Sequence, residues 1–122
     1  MKVYAYKGCS TCVKALAYLD STGRPYELRA IREQPPTKSE LRTMLKIYGG
    51  KVAKLFNTSG AAYRALNLGA KLKGMDVEAA LDLLARDGNL VKRPFVLAGN
   101  TGVVGFRLEE WREKGLRPLP GV

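Results

Sequence analysis

A pair of cysteines three residues apart, set between a short apolar run and a helix-periodic one, constrains this chain more than any other feature. Residues 3–6 are apolar and aromatic, as a buried first strand would be. After Gly8-Cys9-Ser10-Thr11-Cys12 the pattern changes. Val13, Leu16, Ala17 and Leu19 then fall at helical spacing, and Ser21-Thr22-Gly23 supplies a stop. Arg24-Pro25 introduces residues 26–31, which alternate as a strand does. The opening therefore reads strand, helix, strand.

That placement gives the two thiols a chemistry. Residues three apart share a helix face, so the sulfurs of Cys9 and Cys12 can meet. The first helical turn carries unpaired amides and the positive end of the dipole, and both favour thiolate over thiol. Cys9 is then the nucleophile and Cys12 the resolving thiol. Lys7 and Lys14 lie close in sequence and can assist. Two other readings stay open. The pair can be inert and buried, or two chains can share a zinc ion. A zinc site within one chain lacks ligands, because the sequence has two Cys and no His. The same lack of His removes Cys-His and Ser-His mechanisms. No phosphate-binding glycine loop is present.

The chain has 122 residues, enough for one domain, and is 46% hydrophobic. No stretch approaches the roughly 18–20 apolar residues that span a bilayer. The N-terminus has no signal-peptide pattern. The expected location is therefore the cytoplasm, where cysteine pairs are more often catalytic or redox-sensing than structural. Lys and Arg outnumber Asp and Glu 21 to 11, for a net charge of +10. This suits an anionic substrate or an acidic protein surface. The basic residues are dispersed and no nucleic-acid-binding motif accompanies them, so no direct nucleic-acid contact is expected.

Further along, Pro35-Pro36 ends the first unit and Thr37-Lys38-Ser39-Glu40 has capping-box form. Leu41, Met44, Leu45 and Tyr48 make the stripe of the next helix, stopped by Gly49-Gly50. Asn57 and Ser59 can each start a turn or cap a short helix holding Tyr63 and Leu66. A further helix starts near Asp76, carries Val77, Ala80, Leu81 and Leu84, and ends at Asp87-Gly88. Arg93-Pro94 opens a strand over residues 95–98, a normal edge or start position for proline. Asn100-Thr101-Gly102 turns it back into residues 103–106. Leu108 and Trp111 belong to a last helix, and the tail from residue 115 is expected to be loosely held. The fold class is α/β. One domain covers residues 1–122, with 1–34 and 89–114 as core and 35–88 as a helical insertion.

Five pieces then carry a resemblance: Cys9-Ser10-Thr11-Cys12 after a strand, Pro35-Pro36-Thr37-x-x-Glu40-Leu41, Tyr63-x-x-Leu66-x-Leu68, Arg93-Pro94, and Val104-Gly105-Phe106. In order and spacing, over nearly the whole chain, they resemble the arsenate reductase-like family of thioredoxin-fold proteins, which includes ArsC and the Spx regulators. The resemblance implies a thioredoxin-like core with a four-stranded mixed sheet. It also implies a cis Pro94 facing Cys9 and an Arg93 guanidinium that holds an anion or stabilises the thiolate. Arsenate reductases of this type use one cysteine, matching Cys9, together with glutathione and glutaredoxin. Of their three arginines, Arg93 matches one, Asn57 stands at the second, and the third falls at Phe106 or Arg107.

The Spx branch keeps the cysteine pair as an oxidation switch and binds the C-terminal domain of the RNA polymerase α subunit. The expected function is thus a thiol–disulfide oxidoreductase with Cys9, Cys12 and Arg93 as catalytic residues. Ser10, Thr11, Asn57, Pro94 and Arg107 are expected around the substrate. No metal or resident cofactor is expected, with glutathione as a candidate co-substrate and a monomeric chain. An Spx-like regulator is the alternative, and arsenate reduction comes third.

Overall fold

Alternation along the strands decides how the sheet is covered. The computed structural model describes residues 1–121. Its strands β1 (Lys2–Ala5), β2 (Glu27–Ala30), β3 (Phe95–Ala98) and β4 (Thr101–Val104) form one sheet in the order β2-β1-β3-β4. β1 and β2 run parallel, and the other two pairings are antiparallel. Val3, Val96 and Val103 align in one row, and Tyr4, Phe95 and Val104 in the next. Successive residues face opposite sides of a strand, so the rows serve two different cores. The first row packs with Cys12, Ala15, Leu19 and Trp111. The second packs with Leu41, Met44, Phe56, Leu81 and Leu84. The result is an α/β, thioredoxin-like arrangement in which βαβ and ββα halves share a mixed four-stranded sheet.

Helix α1 (Ser10–Thr22) buries Cys12, Ala15, Leu19 and Thr22. Val13 and Ala17, expected on the inner face, point outward, and Val13 is 55% exposed. One residue turns a helix by about 100°, so burying Cys12 commits Val13 to solvent. Gly23 ends the helix in the left-handed conformation, φ 73°. The hairpin turn also lies earlier than its sequence suggested. Ala98 pairs with Thr101, and Gly99, at φ 62°, takes the positive angle such a two-residue loop needs. The tail is held rather than loose as far as Leu119, and residue 122 lies outside the described residues. Leu116 is buried, Tyr18 donates its hydroxyl to the Leu116 carbonyl (2.7 Å), and the Leu119 amide donates to that of Thr22 (2.9 Å).

Between the halves lie α2 (Lys38–Ile47), α3 (Ala61–Ala65), α4 (Leu68–Lys71) and α5 (Val77–Arg86), with short 3-10 turns at Val52–Leu55, Leu72–Gly74 and Gly88–Leu90. α6 (Leu108–Glu113) follows the hairpin. Asn57 and Ser59 do not cap α3, whose N-cap is Gly60; the Asn57 carbonyl instead accepts the Gly60 amide (3.0 Å) in a turn. The helical block closes on the core through two backbone bonds. The Asn57 amide donates to Leu90 (2.7 Å) and the Lys92 amide to Leu55 (2.8 Å), around a bridge between Phe56 and Val91. Gly88 fits because a Cβ there would lie 2.7 Å from the Ile31 carbonyl carbon. No helix among the described residues is long and apolar enough to cross a membrane.

Glu40 fastens α2 to the sheet. It completes the expected capping box, accepting the Thr37 amide (2.9 Å) while Thr37 accepts that of Glu40 (3.1 Å). The same carboxylate accepts the Tyr4 hydroxyl (2.7 Å) and the Lys2 ammonium (3.0 Å). Burial would raise its pKa, yet these donors lower it overall. A carboxylate depressed in the folded state stabilises above its unfolded pKa of about 4.3, and that stability is lost as pH falls through the folded value. Glu40→Gln should lose about 1–2 kcal/mol at pH 7 in urea denaturation, and the gap from wild type should narrow on acidification below about pH 4.

Candidate functional site

The first cysteine sits where the strand hands over to the helix. β1 ends at Ala5, the chain crosses Tyr6-Lys7-Gly8, and Cys9 becomes the N-cap of α1 with extended backbone (φ −99°, ψ 117°). Its amide donates to the Tyr6 carbonyl (3.1 Å) and its own carbonyl accepts from Val13 (3.0 Å). The Cys9 sulfur therefore takes the place that a serine or aspartate oxygen fills at other helix starts, accepting the Cys12 amide at 3.4 Å.

The two thiols share a helix face but not an environment. Both are free thiols; Cys9 is half-buried and Cys12 fully buried. Burial pushes the Cys12 thiol up to about 12, and the adjacent Cys9 reinforces this against the lowering effects of the Tyr6 backbone and Arg93. Partial burial also works against ionising Cys9, but it is outweighed. The Cys12 amide and thiol, the Arg93 guanidinium and the Thr11 amide together hold Cys9 below the ordinary thiol value.

Cys9 opens onto a cleft of about 450 Å³. Of the residues expected at the site, Cys9, Thr11, Asn57, Arg93 and Arg107 line this cleft, and Cys12 lies beneath it in the core. Ser10 is exposed on the first helical turn and is not in the cleft wall. Pro94 is buried behind the wall; its peptide bond with Arg93 is cis, and its carbonyl accepts the Gly105 amide (2.9 Å). Lys7 and Lys14 do not take the assisting place expected for them. Lys7 borders a separate groove with Leu16 and Leu28, and Lys14 is exposed, so the cation acting on Cys9 is Arg93.

Several wall residues escaped the sequence reading. Lys54 and Lys92 bring the cleft's cations to four, against one carboxylate, Glu110. Arg107 is 81% exposed, with its Nε 3.8 Å from Glu110. Tyr48, expected only as part of a helix stripe, donates its hydroxyl to Glu110 (2.9 Å) and accepts the Val104 amide (3.0 Å). Burial and the Glu110 carboxylate raise its pKa to about 12 despite the Val104 amide. Arg93 Nη1 is buried with no hydrogen-bond partner. A buried guanidinium nitrogen without an acceptor is costly to leave that way, so this wall of the cleft is suited to an anion. Among the described residues, no three His, Cys, Asp or Glu side chains gather to hold a metal ion.

Known proteins share this sequence and architecture. The uncharacterized protein YusI of Bacillus subtilis is 43% identical over 110 residues, covering 90% of this chain and 93% of its own. The global transcriptional regulator Spx of Listeria innocua is 24% identical over 110 residues, covering 90% and 82%. The crystal structure of an ArsC family related protein from Bacteroides fragilis superposes with a TM-score of 0.87 at 41% identity, covering 93% and 95%. Residues 4–114 match the ArsC family, and the chain belongs to that family.

Proposed function

We propose that the chain is a thiol–disulfide oxidoreductase of the cytosol, with Cys9 as nucleophile and Cys12 as resolving thiol. The observation that carries this reading is the division between the two sulfurs: one cleft-facing and biased toward thiolate, the other buried and held as a thiol beside it. Only a thiolate attacks sulfur, and a protonated neighbour can donate to it until its own turn comes.

In the first step the Cys9 thiolate attacks a substrate disulfide, forming a Cys9–substrate mixed disulfide and expelling the other half as a thiolate. That leaving thiolate takes up a proton. Cys12 then loses its proton and attacks the Cys9 sulfur, closing a Cys9–Cys12 disulfide and releasing the second half as a thiol. The substrate gains two electrons and two protons; the protein pair supplies both electrons and the Cys12 proton, and solvent supplies the other proton. A low-molecular-weight thiol such as glutathione would restore the dithiol by the same chemistry in reverse. Arg93 and the neighbouring lysines favour a substrate carrying negative charge close to its sulfur.

Incubation of a Cys12→Ser variant with glutathione disulfide should trap glutathione on Cys9, seen by mass spectrometry as a mixed disulfide in most of the protein. A Cys9→Ser variant should trap none. Failure of Cys12→Ser to hold any adduct would overturn the reading.

A second reading is supported by the Spx relative and the +10 charge: a redox-sensing regulator that binds RNA polymerase through its α subunit. Here the thiol pair would switch a surface rather than turn over substrate. The immobilised chain should then retain the isolated C-terminal domain of α in one redox state and not the other. No retention in either state would remove this reading. Arsenate reduction ranks third, because Asn57 stands in the cleft wall where the resemblance implies an arginine, and the third arginine position falls at Phe106 or at Arg107, both in the same wall.

A further inference from the structure

Tyr6 lies outside every motif that points to the site, yet it contacts both the cysteine pair and Arg93. Its carbonyl accepts the Cys9 amide (3.1 Å), and its backbone amide favours the ionised form of Cys12. Its ring carries two guanidinium groups, Arg93 at 5.3 Å and Arg32 at 4.6 Å from the ring centroid. Both distances fall within the range of cation–π attraction. Arg93 has few other constraints at its head, since its buried Nη1 finds no hydrogen-bond partner.

Gly8 makes the ring's position available. A Cβ at residue 8 would lie 2.6–2.8 Å from Cε2, Cζ and the hydroxyl oxygen of Tyr6. The ring therefore folds back over the loop into space that only glycine leaves open. Gly8 has no left-handed angle to explain it, so close approach is its structural role here.

We propose that Tyr6 is a positioning residue: its ring, seated over Gly8, holds the Arg93 guanidinium where it stabilises the Cys9 thiolate. The proposal rests on Cys9 being an ionised nucleophile, not on which substrate it attacks. The charged and titratable groups that share the cleft with Cys9 are Lys54, Lys92, Arg93, Arg107, Glu110 and Tyr48, with Cys12 beneath. Arg93 is the one among these cations that acts on Cys9 directly.

The test is the pH dependence of Cys9 alkylation by iodoacetamide, followed by peptide mass mapping on the full chain. This readout needs no turnover, so it remains informative if the oxidoreductase reading fails in the trapping experiment. Tyr6→Leu should move the alkylation midpoint upward by about half a pH unit, while Tyr6→Phe, which keeps the ring, stays near wild type. Gly8→Ala should raise the midpoint in the same direction by displacing the ring. In an Arg93→Gln background, which has already lost the cation, Tyr6→Leu should add nothing. An unchanged midpoint in both Tyr6→Leu and Gly8→Ala would overturn the proposal. So would an equal shift in Tyr6→Leu with and without Arg93, since the ring would then act by another route.

Discussion

Everything proposed for this protein depends on one hydrogen bond between close neighbours: the Cys12 amide donating to the Cys9 sulfur at the start of α1. Helix starts leave amides unpaired, and a side-chain acceptor normally stabilises the helix by satisfying one of them. When the acceptor is sulfur, that stabilisation also favours the charged form of the thiol. Fold stability and reactivity are then coupled at a single atom. The coupling works because β1 stops short at Ala5, so that Cys9 leaves the sheet in extended conformation and enters the helix as its cap.

The helical block supplies the other side of the site. The two backbone bonds that close it on the core begin at Asn57 and Lys92, and both residues stand in the cleft wall. The same closure therefore holds the block to the core and brings basic side chains from far along the sequence opposite Cys9. Glu40 performs an analogous double task away from the site, capping α2 and anchoring it to β1. The layer that contains α2 is thus tied to the short strands by specific polar contacts as well as by apolar burial.

The sequence made some of this plain and hid the rest, for physical reasons. The thiol pair, the capping box and the alternation of β3 are local patterns, and the structure has the capped helix and the strand where those patterns lie. The family resemblance added Arg93 and Asn57, which spacing alone would not bring to Cys9. Apolar spacing alone puts Val13 and Ala17 on the inner face of α1, whereas Cys12, a core residue as well as a reactive group, sets the buried face. Lys7 and Lys14 are near Cys9 in sequence but face elsewhere, whereas Lys54, Lys92 and Glu110 reach the cleft through tertiary closure that leaves no local signal. Tyr6 carries no local signal of a site residue, because its aromatic character equally suits a strand end.

The most direct measurement is a carbon-13 NMR titration of the protein labelled at the cysteine β-carbons, which follows each thiol separately. The account predicts that Cys9 ionises below the ordinary thiol value of about 8.5 while Cys12 stays protonated well above it. A Cys9 midpoint at or above that value, or Cys12 ionising first, would contradict it.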